Sequence, residues 1–436
     1  MNANDRSITR FTMIGHATFH GYELAIPLFV VVWLDVFDVS AALLGTVVAA
    51  GYALVGVGAV PSGILADTYG SKRLVTVSLL GMAGGFALLS LSTSIPMIAL
   101  ALLVWGATAS LYHPSALSLL TRATTNRGTA LAYHGAAGNV GTALVPFLTA
   151  VALTFMEWQL VAALLTIPAI LAVGLGLLVR FDERAASNPE YDDEKPTRGD
   201  GSGTDRTEGH SDDGGTETDD SDRGLSIGEF IGGTRTLFTG AFFVVFVITM
   251  FGGTYYRGVF TFLPDVLAQL SMFDPVVIAG TAFEPSQYLY AGLLMVGAFG
   301  QLAGGKLSDR LTPEYAIVGA FAAQVVITLL FVPAVGFGPG AFVLACAVLG
   351  FFVYFYAPIV QALVGTAAPN DVHGLSFGYV YLGTFGVGAA GASVAGVALT
   401  VGDIGFTFLV LAAFPAVALA LAIGLAVRTR RKLRPR

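Results

Sequence analysis

The sequence predicts an all-α polytopic membrane protein with 12 transmembrane helices in two pseudo-symmetric six-helix bundles. Of its 436 residues, 55% are apolar and 12% are charged, whereas charged residues make up about a quarter of a soluble domain. Twelve windows of mainly apolar residues are long enough to cross a bilayer, which takes about 20 residues each. These windows form two sets of six that share matching residues. The composition therefore excludes a water-soluble globule.

The net charge of −7 is concentrated in one segment. From Asp182 to Asp222 the chain carries 15 carboxylates and four basic side chains, a net charge of −11, while the rest has 18 bases and 14 acids, a net charge of +4. Asp, Glu, Gly, Ser and Thr without large apolar residues are typical of disordered segments. We therefore predict three parts: an N-terminal bundle (1–180), a disordered acidic cytoplasmic linker (181–236) and a C-terminal bundle with a basic cytoplasmic tail (237–436).

Each predicted span is bounded by charge, Pro or Gly. The first six cover residues 10–33, 41–66, 73–93, 96–120, 129–154 and 159–179. The second six cover residues 238–263, 288–307, 315–333, 341–363, 375–400 and 405–427. The first apolar stretch follows Arg6 and Arg10 like a secretory signal, but it exceeds 20 residues and ends without a small-residue cleavage pattern. We expect it to be retained as the first span.

The basic residues predict the orientation. If the N-terminus is cytoplasmic, the outer loops hold no Lys or Arg, and the cytoplasmic ends and loops hold Arg6, Arg10, Lys72, Arg73, Arg122, Arg127, Arg180, Arg223, Arg235, Lys306, Arg310 and the tail from Arg428 to Arg436. The positive-inside rule then places both termini and the linker in the cytoplasm, and we expect a plasma-membrane protein. Only Arg257, inside the seventh span, is left over.

The two halves repeat each other in order. In the first match, His20-Gly21 and Pro27 correspond to Arg257-Gly258 and Pro264; in the second, Gly63, Leu65 and Asp67 correspond to Gly305, Leu307 and Asp309. In the third, Tyr112 and Pro114 correspond to Tyr356 and Pro358; in the fourth, Gly128 and Tyr133 correspond to Gly374 and Tyr379. Their offsets drift slowly from 237 to 246 residues. Such drift indicates a duplicated six-helix unit, an architecture typical of transporters that bind substrate near the midplane between the halves.

A motif stands between spans two and three. The sequence GILADTYGSKR contains Gly63, Asp67, Gly70, Lys72 and Arg73. Gly permits a tight turn, Asp67 is an acceptor for a helix N-terminus or an Arg, and the cations anchor at the cytoplasmic face. The motif closely resembles the signature loop of the major facilitator superfamily, and Gly305 to Arg310, with Asp309 and Arg310, resembles its second copy. The resemblance covers the chain apart from the linker and implies the major facilitator fold, with these residues in a cytoplasmic gating loop.

Within that superfamily, the chain resembles the fosmidomycin-resistance group of drug exporters. The residues that carry the resemblance are His16, Tyr112-His113-Pro114, and Gly138-Asn139-Val140-Gly141 with Pro146. The group usually has acids where this chain has His20 and Ser115, and the fourth span lacks the Arg of many proton-driven antiporters. The resemblance implies drug export, with the proton chemistry placed elsewhere.

Two charged side chains lie in mid-span, Glu23 in the first span and Arg257 in the seventh. A charge there costs at least about 2.5 kcal/mol, so it is a functional candidate. The repeat predicts that the two face one central cavity from opposite halves. We hypothesise that Glu23 carries a coupling proton and that Arg257 tunes it or binds an anionic substrate group. The alternative is a permanent salt bridge that fixes helix packing.

Histidines extend this candidate site. The spacing of His16, His20 and Glu23 stacks them on one helix face, where they could relay protons or line a wet cavity. A metal is not expected, because no second helix supplies an obvious set of further ligands. His113 and His134, near the cytoplasmic ends of spans four and five, are predicted either to line the inner vestibule or to satisfy local packing around Pro114.

Further polar and aromatic side chains could line a cavity for an amphipathic substrate. They are Tyr112, Tyr133, Asn139, Tyr255, Tyr256, Tyr356, Gln361 and Tyr379. We expect fewer than half to do so, since Tyr also packs between helices and at membrane interfaces.

These features predict a secondary active transporter for a small amphipathic or anionic solute, working by proton-coupled efflux. The alternatives are cation-coupled uptake of an organic anion and, more weakly, a membrane enzyme or sensor built on the His16, His20 and Glu23 stripe. No phosphate-binding loop occurs, so ATP is not the expected energy source. Cys346 is the single cysteine, which excludes a disulfide framework. We expect a monomer without cofactor, enzymatic activity or nucleic-acid partner.

Overall fold

The computed structural model describes residues 1–183, 227–238, 240–368 and 373–433. The first half contains α1 (Ala3–Phe37), α2 (Ala41–Tyr69), α3 (Ser71–Ser90), α4 (Ile95–Ala109), α5 (Tyr112–Ala123), α6 (Arg127–Phe155), α7 (Trp158–Leu164) and α8 (Thr166–Leu178). The second half contains α9 (Ile227–Leu237), α10 (Ala241–Ala268), α11 (Pro285–Ser308), α12 (Pro313–Phe331), α13 (Pro339–Ala367), α14 (His373–Tyr381), α15 (Ala390–Val401) and α16 (Ile404–Leu433). A π-helical segment, Leu382–Val387, joins α14 to α15.

Eleven helical segments of the described residues are long and apolar enough to cross a membrane. Three of them join consecutive elements: α4 with α5, α7 with α8, and α14 with the π-helical segment and α15. The twelfth predicted span, 288–307, is covered by α11, which is not among the eleven and carries Gln287, Gln301 and Lys306. The predicted all-α class is confirmed.

The prediction of disorder up to residue 236 was wrong for the last part of the linker. Helix α9 occupies Ile227–Leu237, where apolar residues recur at the spacing of an amphipathic helix. Residues 184–226 lie outside the described part of the chain. The first span also begins earlier than predicted, at Ala3, because Asn2 caps it by accepting a 2.7 Å hydrogen bond from the backbone N–H of Asp5.

Asp5 ties the start of α1 to the start of α6. Its buried carboxylate accepts hydrogen bonds from the backbone N–H groups of Thr125 and Asn126, at 3.0 and 3.1 Å. These residues directly precede α6, so the carboxylate satisfies donors that a helix N-terminus leaves free. The contact fixes the end of the tightly packed α1–α6 pair.

The bundle has two ends, which we name by what they carry. The tether face carries Glu183 and Ile227, the residues that flank the undescribed linker. The hairpin face carries two short antiparallel strands, β1 (Val276–Ile278) and β2 (Thr281–Phe283), between α10 and α11. Each six-helix half spans from one face to the other.

The halves meet where α2 packs along α14, the π-helical segment and α15, where α6 packs on α11, and where α1 packs on α10. In the first of these contacts, a Cβ on Gly56 would overlap the backbone of Gly386, so the helices need glycine to approach this closely. At the hairpin face, the backbone N–H of Ala42 donates to Thr400 Oγ1 at 2.9 Å. The halves are thus closed together at this face.

Candidate functional site

A buried ion pair joins the two halves at the centre of the molecule. The guanidinium of Arg257 on α10 donates through Nη2 to Oε1 of Glu23 on α1. The exposed fractions of the two residues are 2% and 1%. The structure therefore brings together the two mid-span charges that the internal repeat placed in opposite halves.

Aromatic rings surround the guanidinium. Its central carbon lies 3.8 Å from the ring centroid of Tyr52 and 5.3 Å from those of Tyr256 and Phe385. Tyr52 also donates its hydroxyl to the backbone carbonyl of Glu23 at 2.7 Å. A desolvated cation on an aromatic face is stabilised by about 2 kcal/mol. Among the described residues, the buried Nε of Arg257 has no hydrogen-bond partner. The three rings, which we call the aromatic box, therefore leave one donor of the cation unused.

Sequence analysis missed Tyr52 and Phe385. Tyr52 carries a hydroxyl inside an apolar span, which was a usable signal, because polar groups in a span are often functional. Phe385 gave no signal, since a Phe in an apolar helix ordinarily packs against other apolar groups. Its position follows from the contact between the π-helical segment and the other half.

The predicted stripe on α1 forms a connected polar row. Nδ1 of His20 lies 2.7 Å from Oε2 of Glu23, and Nε2 of His20 lies 3.1 Å from Nε2 of His16. Nδ1 of His16 lies 2.7 Å from the backbone oxygen of His134 on α6. The row runs from α6 along α1 to Arg257 in the second half.

His113 lies deeper than predicted, against the middle of α1 instead of in a vestibule. Its ring centroid is 5.1 Å from that of His16 and 5.4 Å from that of His20. A break between α4 and α5 places His113 in the first turn of α5. Tyr381, from the second half, stacks on its other side at 5.1 Å. The Nε2 of His113 is buried and has no hydrogen-bond partner within the described part of the chain.

His134 stacks on His16, with ring centroids 3.9 Å apart and planes 3° from parallel. Both of its ring nitrogens are buried. Tyr112 adds a further wall, because its ring lies 6.1 Å from His16 and its hydroxyl donates to the backbone oxygen of Thr12. His16 on α1 is therefore surrounded by four predicted residues of the first half, which are His20, His113, His134 and Tyr112.

The other cavity candidates divide into two groups. Tyr256 lies at the site, where its hydroxyl is 3.1 Å from that of Tyr354. Tyr255 and Tyr356 are buried within the second half, where Tyr255 bonds Thr328 and Tyr356 packs on Phe321. These two are packing residues, which corrects the prediction that they line a cavity.

The last four candidates are Tyr379, Tyr133, Gln361 and Asn139. Tyr379 bonds Thr234 of α9 at 2.9 Å and so holds α9 against α14. Tyr133 and Gln361 are exposed, and Asn139 is half-buried. Tyr133 and Gln361 therefore lie outside the buried centre, and their role in lining a cavity stays a prediction.

The motif between spans two and three forms the turn from α2 to α3. Gly70 adopts φ +87°, which favours glycine. Nζ of Lys72 donates to the backbone oxygen of Val179 at 2.8 Å, and the backbone N–H of Lys72 donates to the carboxylate of Glu183 at 3.2 Å. Thus the motif holds the end of α8 at the tether face.

The remaining gating-loop candidates are Gly63, Asp67, Arg73, Asp309 and Arg310. A Cβ on Gly63 would meet no atom within 4 Å, and Arg73, Asp309 and Arg310 are exposed. The side chain of Asp67 lies outside the described structure. The gating role of this loop stays a prediction.

The sequence profile of the Major Facilitator Superfamily matches residues 12–392. The chain belongs to this superfamily. Membership and the apolar helices make it a multi-pass membrane protein and a secondary transporter. No protein of curated function matches the sequence significantly.

Solved transporter structures share the fold. A bacterial homolog of the human lysosomal transporter Spinster, inward-facing and unoccupied, aligns with a TM-score of 0.71 at 14% identity, covering 100% of this chain and 99% of that one. The inward-open xylose transporter from E. coli aligns at 0.69 and 14% identity, covering 95% of both chains. A D-xylose-proton symporter gives 0.70 and 14%, covering 96% of this chain and 97% of that one. The predicted two-bundle major facilitator fold is confirmed.

Proposed function

We propose that this major facilitator exports a small amphipathic anion by alternating access and in exchange for protons. The observation that carries the proposal is the buried ion pair between Glu23 and Arg257, which joins the halves inside a box of aromatic rings. Both side chains are buried where the halves meet, and transporters of this architecture bind substrate near the midplane between their halves.

The position of the pair couples it to the motion of the halves. Glu23 and Arg257 belong to different bundles, so rocking of one bundle against the other separates them. A lone charge within a span costs at least about 2.5 kcal/mol. Once it is separated from Glu23, Arg257 therefore needs another anion. A carboxylate or phosphate group of the solute would take the place of the Glu23 carboxylate.

The aromatic box suits the remainder of such a solute. Tyr52, Tyr256 and Phe385 present ring faces and hydroxyls around the cation. Rings of this kind bind apolar groups and form hydrogen bonds at the same time. An anionic head on Arg257 and an apolar body against the rings together define the solute class.

Export by proton exchange is supported by the resemblance to the fosmidomycin-resistance group in Tyr112-His113-Pro114 and Gly138-Asn139-Val140-Gly141. Uptake of an organic anion together with a cation is the second candidate, since it uses the same contact with Arg257. The proton role of Glu23 stays a prediction.

We further propose that the protein lies in the plasma membrane as a monomer, with the termini and the acidic linker between bundles 1–180 and 237–436 in the cytoplasm. The distribution of Lys and Arg supports this orientation. The hairpin face is then the outer face, and the structure corresponds to a state closed to the outside.

Counterflow in proteoliposomes tests the proposal. Vesicles loaded with unlabelled solute are given trace labelled solute, across a panel of amphipathic anions, cations and neutral compounds. We expect accumulation of anions only, and faster solute movement when a pH gradient is imposed. Neutral or cationic solutes moving as well as anions would refute the anion proposal, and indifference to the gradient would refute proton exchange.

Two variants test whether Arg257 is the residue that binds the anionic solute. Arg257→Gln should abolish counterflow of anions, because no buried cation is left to receive the solute. Arg10→Gln removes the same charge from an exposed position at the tether face and serves as the matched control. Equal counterflow by both variants would show that Arg257 does not bind the solute.

A further inference from the structure

The imidazoles of His16 and His20 face each other in a way that requires a cation between them. A backbone carbonyl only accepts, so Nδ1 of His16 must donate its hydrogen to the oxygen of His134 at 2.7 Å. Likewise, Nδ1 of His20 donates to the Glu23 carboxylate at 2.7 Å, since that carboxylate accepts from Arg257 on its other oxygen. In neutral rings, both Nε2 atoms then carry lone pairs, and these atoms lie 3.1 Å apart.

A third ring nitrogen converges on the same place. One nitrogen from each of His16, His20 and His113 lies within 4.8 Å of the others. His113 comes from α5, so a second helix does supply the ligand that sequence analysis lacked. Its buried Nε2 has no hydrogen-bond partner among the described residues. A proton shared by His16 and His20 would engage only those two rings, whereas a metal ion also binds a third donor from His113.

The distances between the ring nitrogens and the hydrogen bonds that the Nδ1 atoms of His16 and His20 make both suit a metal ion. Zinc binds imidazole nitrogen at about 2.0–2.1 Å, which places two donors on a tetrahedral ion about 3.4 Å apart. The 3.1 Å separation is close to that value, and a closure of at most about 1.4 Å brings in a pair at the 4.8 Å limit. Metal-binding imidazoles commonly donate their second N–H to a carboxylate or a backbone carbonyl. Glu23 and the carbonyl of His134 already accept these bonds from His20 and His16.

We propose that His16, His20 and His113 form a binding site for one transition-metal ion of the Zn²⁺ or Co²⁺ type. Three neutral imidazoles select such ions over Mg²⁺ and Ca²⁺, which prefer oxygen. The side chain of His20 is 22% exposed, so an ion can reach the site without unfolding of the bundle. All three ligands belong to the first half, so separation of the two halves leaves them together.

Cobalt binding to the purified full-length protein tests the site. Co²⁺ in a low-coordinate nitrogen site absorbs visible light far more strongly than Co²⁺ held by the carboxylates of the linker. We expect a visible band that saturates at one Co²⁺ per chain and is displaced by Zn²⁺. The variants His113→Gln and His20→Gln should each weaken Co²⁺ binding by at least about 10–100-fold, while gel filtration checks that they remain folded.

Two matched controls separate these ligands from the other histidines. His134→Phe keeps a ring stacked on His16 but removes both nitrogens, and His210→Gln removes an imidazole from the linker. Both should bind Co²⁺ like the unaltered protein. Absence of a saturable band, or unchanged binding in folded His113→Gln and His20→Gln, would overturn the proposal. If only one of the two variants folds, that variant decides.

Discussion

Replacing Glu23 by Gln should open the halves at the hairpin face more than replacing Arg257 by Gln does. The two substitutions break the same ion pair, but they leave different partners behind. Without Arg257, Glu23 keeps its 2.7 Å contact with His20. Without Glu23, Arg257 has only the rings around it, and its Nε already lacks a partner.

The expected sizes follow from burial. Removing one partner of a buried ion pair costs about 3–5 kcal/mol, and we assign this range to Glu23→Gln. The hydrogen bond that His20 retains with a charged group offsets about 1.5–3 kcal/mol, so Arg257→Gln should cost about 1–3 kcal/mol. Because about 1.4 kcal/mol corresponds to tenfold, Glu23→Gln should shift the equilibrium between closed and open halves by more than about 100-fold.

Pulsed electron paramagnetic resonance measures that equilibrium. Spin labels at Val36→Cys on α1 and Val401→Cys on α15 lie at exposed positions of the hairpin face in opposite halves. The background carries Cys346→Ala to remove the native thiol. The unaltered pair should give mainly the short distance, and Glu23→Gln mainly the long one. The double variant Glu23→Gln with Arg257→Gln should fall nearer the unaltered protein, since no charge remains buried alone.

An unchanged distance distribution in Glu23→Gln would refute the reasoning, because the pair would then fix packing without holding the halves together. A larger opening in Arg257→Gln than in Glu23→Gln would contradict the assigned role of His20.

Three further predictions concern other parts of the molecule. Gly56→Ala should slow transport at least tenfold, because its methyl group would overlap the π-helical segment. Gly84→Ala, with open space around it, should transport normally. Initial rates of counterflow compare the two variants. Asp5→Asn should lower the free energy of unfolding by about 0.5–2 kcal/mol, because it caps α6 more weakly. An unchanged melting temperature would contradict this. In cysteine-free protein, a membrane-impermeant maleimide should label Ala279→Cys in intact cells and Ser211→Cys only after permeabilisation; the reverse pattern would invert the proposed orientation.

Much of the fold could be predicted from the sequence because a bilayer leaves few alternatives. Apolar length determines the spans, and the repeat determines which charges oppose each other. Glu23 and Arg257 were identifiable because charge is costly in a span, whatever its neighbours are. The stripe of His16 and His20 followed from helical spacing alone.

The rest of the site depends on contacts between distant helices. His113 reaches the stripe only because a break between α4 and α5 redirects the chain. Pro114 indicates a kink there, but it does not indicate the direction that the chain takes afterwards. Tyr381 and Phe385 depend on how α14 and the π-helical segment face the first half. Tyr255 and Tyr356 were misassigned because hydroxyl groups at the same spacing serve packing within one half.

The π-helical segment Leu382–Val387 makes the two copies of the duplicated unit unequal. By the repeat, its counterpart is residues 136–141, which lie in the uninterrupted helix α6. A π-helical turn corresponds to one inserted residue, and such an insertion rotates everything beyond it by about 100° around the helix axis. Deleting that one residue would rotate Tyr381, which precedes the segment, relative to α15, which follows it, while leaving composition and length almost unaltered. Two halves that arose by duplication can therefore differ in the geometry of corresponding helices, and the insertion of a single residue is enough to produce that difference.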